Sequence, residues 1–157
     1  DEYIRLYGLQ NKKRKYLWIK KCYIRNHGNL LSYKIFVPKV NGSGALGEEL
    51  SDPIIGEPNV GHTQTFISIG SFDSRKTADN ALKYIKSKFV RALLGTLKTT
   101  PDNKKRTWNN VPLQDFTEHS DIDWSKSIAE IDQQLYRKYN LSDDEIAFIE
   151  KMIKPME

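Results

Sequence analysis

Cysteine is almost missing from this chain: Cys22 is the single one in 157 residues. An internal disulfide framework is excluded, and a reducing, cytoplasmic compartment is expected. No apolar run approaches the ~18 residues of a membrane span, and no secretory leader is recognisable. Histidine is scarce too, with His27, His62 and His119 scattered and without metal-ligand spacing among themselves or with Cys22. Internal repeats and low-complexity tracts are lacking. What is present is 38% hydrophobic and 11% aromatic residues, and aromatics at that level argue against disorder. The length suits one domain, or one domain with an appendage, able to bury a core without disulfides. Because it begins on Asp1 rather than Met, the chain is expected to be a piece of something larger.

The net charge of +5 conceals an asymmetry. Residues 1–106 carry 20 Lys/Arg against 9 Asp/Glu, whereas residues 107–157 carry 5 against 11. A basic body with an acidic end segment suits a polyanion partner for the first two thirds. A solvated lysine-rich surface fits the charge equally well.

Hydropathy patterning predicts an α+β fold: a small, mostly antiparallel sheet packed against one long helix, with a C-terminal pair of short helices. Tyr16–Ile24 reads as a strand, closed by Asn26-His27-Gly28-Asn29. Tyr33–Val37 reads as a second strand placed to form a hairpin with it. Cys22, inside the first strand pattern, is expected to be a buried, inert thiol. Residues 41–64, with five glycines, read as a long loop in which Pro53–Gly56 offers a short strand. Thr65–Ile69 is a third strand. From an N-cap at Asp73 or Ser74, the series Ala78, Leu82, Ile85, Phe89, Leu93 and Leu97 predicts a five-turn helix, with Lys76, Lys83, Lys86 and Arg91 on its polar side. Ser127…Glu130 and Ser142…Glu145 are capping boxes, each opening a short helix. Asn140 stands at the C-terminal end of the first, Leu141 and Ile146 at staple positions of the second, and Pro155 beyond it.

Catalytic chemistry is hard to find. Gly42-Ser43-Gly44 lacks the frame of a phosphate-binding loop. Asp102-Asn103-Lys104 has the carboxylate-x-lysine spacing of some metal-dependent nucleases, without a matching upstream acid in a strand. Nucleic-acid contact is better supported. Basic clusters stand at Lys12-Lys13-Arg14-Lys15, at Lys20-Lys21 with Arg25, and at Lys104-Lys105-Arg106, interleaved with Tyr16, Trp18, Tyr23 and Trp108. Lys and Arg neutralise phosphates while other side chains reach base edges. Trp18 and Tyr23 suit a core as readily as base stacking.

Several segments resemble the C-terminal region of adenine-specific DNA methyltransferases of type II restriction–modification systems. They are Tyr33–Gly44, Thr63–Phe72, Ala81–Arg91, Val111-Pro112-Leu113-Gln114-Asp115-Phe116, and Asp121-Ile122-Asp123-Trp124-Ser125 through Ile153-Lys154-Pro155-Met156. The Val-Pro-Leu pattern is similar also to target-recognition domains of type I specificity subunits. In the methyltransferases the catalytic half precedes this region, and its Asn-Pro-Pro-Tyr-type motif has no counterpart among these residues. The resemblance therefore implies a target-recognition module, non-catalytic alone, whose parent binds S-adenosylmethionine elsewhere and in some members also cleaves DNA. No cofactor or metal is expected here. The implied partners are double-stranded DNA and the parent's catalytic domain, with no membrane.

On this reading, residues 1–118 form the basic recognition domain and 119–157 an acidic helical extension packed on it. Lys39, Asn41 and Ser43, at a strand exit beside the glycine-rich loop, are the expected base readers. Lys12, Lys13, Arg14, Lys15, Lys98, Thr99, Lys104, Lys105 and Arg106 are the expected phosphate or groove contacts. Two alternatives stand beside it: a metal-dependent nuclease using Asp102 and Lys104, and a protein-interaction domain whose acidic helices dock a partner subunit.

Overall fold

The structure is a computed structural model that describes residues 2–25, 28–40, 46–47, 50–97 and 105–156. It is α+β, and its strands form two three-stranded sheets. Strand β1 (Tyr3–Gln10) pairs antiparallel with β2 (Lys13–Lys20), in register from Tyr3↔Lys20 to Gln10↔Lys13. The connection is two residues long, with Asn11 at φ 51° and Lys12 at φ 61°. Positive φ at both positions matches the twist of a tight hairpin.

This pairing corrects the expected hairpin between 16–24 and 33–37. The sequence hides β1 because apolar residues occupy both of its faces, and because a lysine stands where such turns prefer glycine. Strand β2 ends at Lys20, where β1 runs out at Tyr3. Beyond it Lys21–Tyr23 form a single 3₁₀ turn. The Lys21 N–H donates to the Glu2 carbonyl at 2.9 Å, and the two side chains form an ion pair at 2.8 Å. Cys22 is consequently exposed, not buried in a strand.

Strand β3 (Tyr33–Pro38) is central in the second sheet, between β4 (Ile54–Gly56) and β6 (Phe66–Phe72), antiparallel to both. Strand β5 (Val60–His62) runs parallel to β1 and completes the first sheet. The glycine-rich stretch thus contributes one strand to each sheet. Gly56 is required by packing: a Cβ there would lie 2.4 Å from the Phe36 ring. The two sheets meet through Tyr7, Phe36, Val60 and Phe66, with Ile54 against them. The Tyr7 ring stacks on Phe36 at 5.7 Å and tilts against Phe66 at 4.7 Å.

Lys34 is buried beside this seam, and its ammonium donates to the carbonyls of Leu30, Ser32 and Glu57 at 2.8–3.1 Å. Burial pulls its pKa down to about 8. Three carbonyl acceptors hold the charge where water would otherwise solvate it.

The run expected as one five-turn helix is two helices, α1 (Arg75–Lys86) and α2 (Lys88–Leu97). Ser74 caps α1, its hydroxyl accepting from the Thr77 N–H at 3.1 Å. The break falls at Ser87, which is extended at ψ 149°. Ser87 Oγ accepts from the Val90 N–H at 3.2 Å. Asp132 accepts from the Lys88 and Phe89 N–H groups at 3.1 and 2.9 Å. A carboxylate from elsewhere in the chain thus satisfies the first donors of α2, where the helix end carries partial positive charge. The break also re-phases α2, so Phe89, Val90 and Leu94 are buried, and so is Arg91, which the periodicity places outside. Arg91 lies only 2% exposed and donates to the carbonyls of Lys86 and Lys154.

A short helix, α3 (Lys105–Trp108), follows. Then α4 (Ile128–Lys138) and α5 (Asp143–Met152) open on the two capping boxes, both complete. Asn140 adopts φ 51°. Around it, Leu141 N–H donates to Tyr136 O and Asn140 N–H to Arg137 O, the bonding of a Schellman end. The larger core draws on β3, α1, α2, α4 and α5 together, from Ile35 through Tyr84 and Ile131 to Ile153. Among the described residues no helix is long and apolar enough to cross a membrane.

Candidate nucleic-acid interface

The hairpin of β1 and β2 carries the first basic cluster at its turn. Lys12, Lys13 and Lys15 are exposed. Arg14 differs: its guanidinium donates to the carbonyls of Asp52 and Ser51 at 2.8 and 3.2 Å and lies 5.8 Å from the centre of the Phe66 ring. It pins the hairpin to the segment before β4 and to β6, so three lysines, not four cations, are presented to solvent.

Lys39 is brought to the same neighbourhood. Pro38 pairs with Phe66, the Lys39 N–H donates to the Thr65 carbonyl at 2.9 Å, and the Lys39 side chain is exposed. The exit of β3 and the hairpin turn therefore flank one aromatic residue, Phe66. Asn41, Ser43, Lys98, Thr99 and Lys104 lie outside the described residues, as does Asp102 of the nuclease alternative. Lys105 and Arg106 begin α3, and their side chains too lie outside the description. Helix α3 contacts α2, whereas the hairpin strands contact each other and β5. Lys12–Lys15 and the pair Lys105-Arg106 thus hang from different elements.

The alternating register sorts the hairpin side chains. Tyr3, Arg5, Tyr7 and Leu9 share a face with Lys20, Trp18, Tyr16 and Arg14. Tyr7 is buried under the second sheet, but Trp18 is 72% exposed, Tyr3 51% and Tyr16 44%. Tyr23, at the end of the 3₁₀ turn, is 74% exposed. These aromatics are not core residues. Arg5 and Tyr3 reach this face only through the β1–β2 register, which sets Arg5 opposite Trp18; Asn11 at the first turn position is the one sequence signal for it, and Lys12 in place of glycine masks it. The Arg5 guanidinium lies 5.3 Å from the centre of the Tyr16 ring, and both charge and planarity suit it to phosphate or base contact.

A second basic concavity, a cleft of about 870 Å³, lies among α1, α2 and α4, lined in part by Lys83, Lys86, Lys88, Arg91 and Lys126. Several of these cations already serve the fold. Lys83 donates to the carbonyls of Trp124 and Lys126 at 2.8 and 3.0 Å, Lys88 pairs with Glu150, and Arg91 holds the carbonyls named above. In the acidic helices, Glu130 and Glu145 reach back to the N–H groups of Ser127 and Ser142 at 3.0 and 2.8 Å. Those hydrogen bonds hold both carboxyls below the usual carboxylate range. Among the described residues no three His, Cys, Asp or Glu side chains gather where they could hold a metal ion.

The chain matches no protein-family model, no curated protein and no solved structure.

Proposed function

We propose that this domain is the sequence-recognition module of a type II restriction–modification adenine-specific (N6) DNA methyltransferase, working in the cytoplasm and non-catalytic by itself. The observation that carries the DNA-binding part is the turn end of the β1–β2 hairpin, where Lys12, Lys13 and Lys15 are exposed beyond the stretch of β1 that pairs with β5. Beyond β5 the hairpin tip is two-stranded, the element that a major groove about 12 Å wide admits, with lysines displacing counterions from the flanking phosphates. Lys39, beside the same Phe66, is the base reader within reach of that groove. Methyl transfer, S-adenosylmethionine and the extruded adenine belong to the parent's catalytic domain. Extruding a base costs a few kcal/mol, which a second domain gripping the flanking duplex offsets. The lysine-rich edge strand β2 also guards against edge-to-edge pairing with another sheet, a role compatible with DNA contact.

The test uses fluorescence anisotropy of the full parent on cognate and scrambled duplexes at several salt concentrations. Lys12→Ala, Lys13→Ala and Lys15→Ala should each weaken both duplexes alike and lower the salt slope by about one unit. Lys39→Ala should cost about 1–3 kcal/mol on the cognate duplex and little on the scrambled one. Unchanged binding in all four variants would overturn the reading.

A further inference from the structure

The hairpin face that carries Trp18 is only half covered. Its turn-proximal half holds Tyr7 against Phe36 and Phe66. Its other half, with Tyr3, Arg5 and Trp18, has no such cover, and Trp18 leaves 72% of its surface open; between the halves Tyr16 rests one side on Tyr7 at 4.8 Å and stays 44% exposed. Aromatic side chains bury large areas when they find a partner, so several left bare on one strand pair mark a contact surface.

Charge says what kind of surface. Arg5 and Lys20 share this face with the aromatics, with Arg14 at its turn end, while Lys13 and Lys15 stand on the other face of the same strand. Of the described acids near the hairpin, Glu2 is paired with Lys21 and Glu57 with Arg75. The face is cationic and aromatic together. A polyanion that also exposes flat rings satisfies both properties, and an unpaired nucleotide strand is such a polymer. A closed duplex satisfies only the first, because its base faces are stacked away. An acidic peptide would pair with the lysines and leave the rings bare. Spacing agrees. Tyr16 and Trp18 are two residues apart on one strand, about 6.7 Å along the backbone, roughly twice the 3.4 Å rise per base of a stacked strand.

We propose that Tyr3, Arg5, Tyr16 and Trp18 form a stacking platform for unpaired nucleotides, engaged where the DNA is single-stranded or opened. The inference rests on the reading that this hairpin meets nucleic acid and narrows it. The turn lysines hold phosphates of any DNA, whereas the platform takes bases that have lost their partners.

Three probes separate these roles on the 157-residue chain: a fully paired 20-base-pair duplex, the same duplex with two bulged thymines, and a 20-nucleotide oligothymidylate. Trp108 is half-buried and Trp124 is 4% exposed, so Trp18 is the fluorophore most open to stacking. Its emission should fall with the bulged and single-stranded probes and stay constant with the paired duplex. Trp18→Ala should weaken binding of the two unpaired probes roughly 5- to 150-fold, the range of one base–aromatic stack, and leave the paired duplex unchanged. Trp18→Phe should restore most of the loss, and the combined Lys12→Ala, Lys13→Ala variant should weaken all three probes. Equal losses on all probes for Trp18→Ala, or none on any, would overturn the platform while leaving the lysine contacts standing. If the wild-type chain bound none of the three, the nucleic-acid reading of the hairpin would fall, and the platform with it.

Discussion

Replacing Asp132 by Ala should destabilise the fold by an amount that depends on pH, and the dependence is the informative part. The carboxylate is buried and accepts from the N–H groups of Lys88 and Phe89. Without it the Phe89 N–H is orphaned in the core, which costs about 1–3 kcal/mol; the Lys88 N–H is nearer the surface and can find water. An opposing effect acts on the wild type. Desolvation pushes the Asp132 carboxyl up to about 6, only partly offset by the two backbone hydrogen bonds, with Glu150 raising it further and Arg91 lowering it. The unfolded chain releases this proton near 3.9. A folded pKa above the unfolded one means that the group's stabilising contribution is complete below about pH 4 and is lost as pH rises through about 6.

The difference between wild type and Asp132→Ala isolates this group, because every other carboxylate titrates in both. The deficit of the variant should therefore shrink by about 2 kcal/mol between pH 4.5 and pH 7. Urea unfolding followed by tryptophan fluorescence at the two pH values measures it. A deficit constant with pH would refute the raised pKa, and no deficit at pH 4.5 would refute the role of Asp132 in ending α1 and starting α2.

Ile85→Asp should abolish the cooperative thermal transition. Ile85 is buried in the large core, and an unpaired carboxylate there costs several kcal/mol out of a total of about 5–15; a wild-type melting temperature would show the α1 register to be wrong. The Cys22 thiol, exposed past the end of β2, should react with a disulfide reagent in the native chain about as fast as in denaturant. Protection until unfolding would return Cys22 to the core.

The features readable from sequence are the ones made within a few residues of chain. Ser127 and Glu130, and Ser142 and Glu145, close their boxes across three positions. Ser74 caps α1, and Asn140 takes the left-handed turn, each through its immediate neighbours. Strands β3 and β6 are legible as runs, as is the short β4, because their composition requires no knowledge of a partner. The charge clusters are equally plain, which is why Lys12, Lys13 and Lys15 stand out before any fold is known.

Tertiary structure decided the contacts between residues distant in sequence. The partner of β2 is β1, not β3, because strand pairing joins residues by register, and β1, apolar on both faces, announces none. The helix breaks at Ser87 because the carboxylate of Asp132, far along the chain, is buried against the break and caps α2; periodicity alone continues the helix and turns Arg91 outward. Trp18 is exposed because the second sheet covers Tyr7 and stops short of it, and Tyr23 because it lies in the 3₁₀ turn beyond the end of β2. The same composition would have supplied core residues had the seam run one pair further. An aromatic residue carries its tendency to be buried in its side chain, but whether it is buried depends on which other element comes to lie over it.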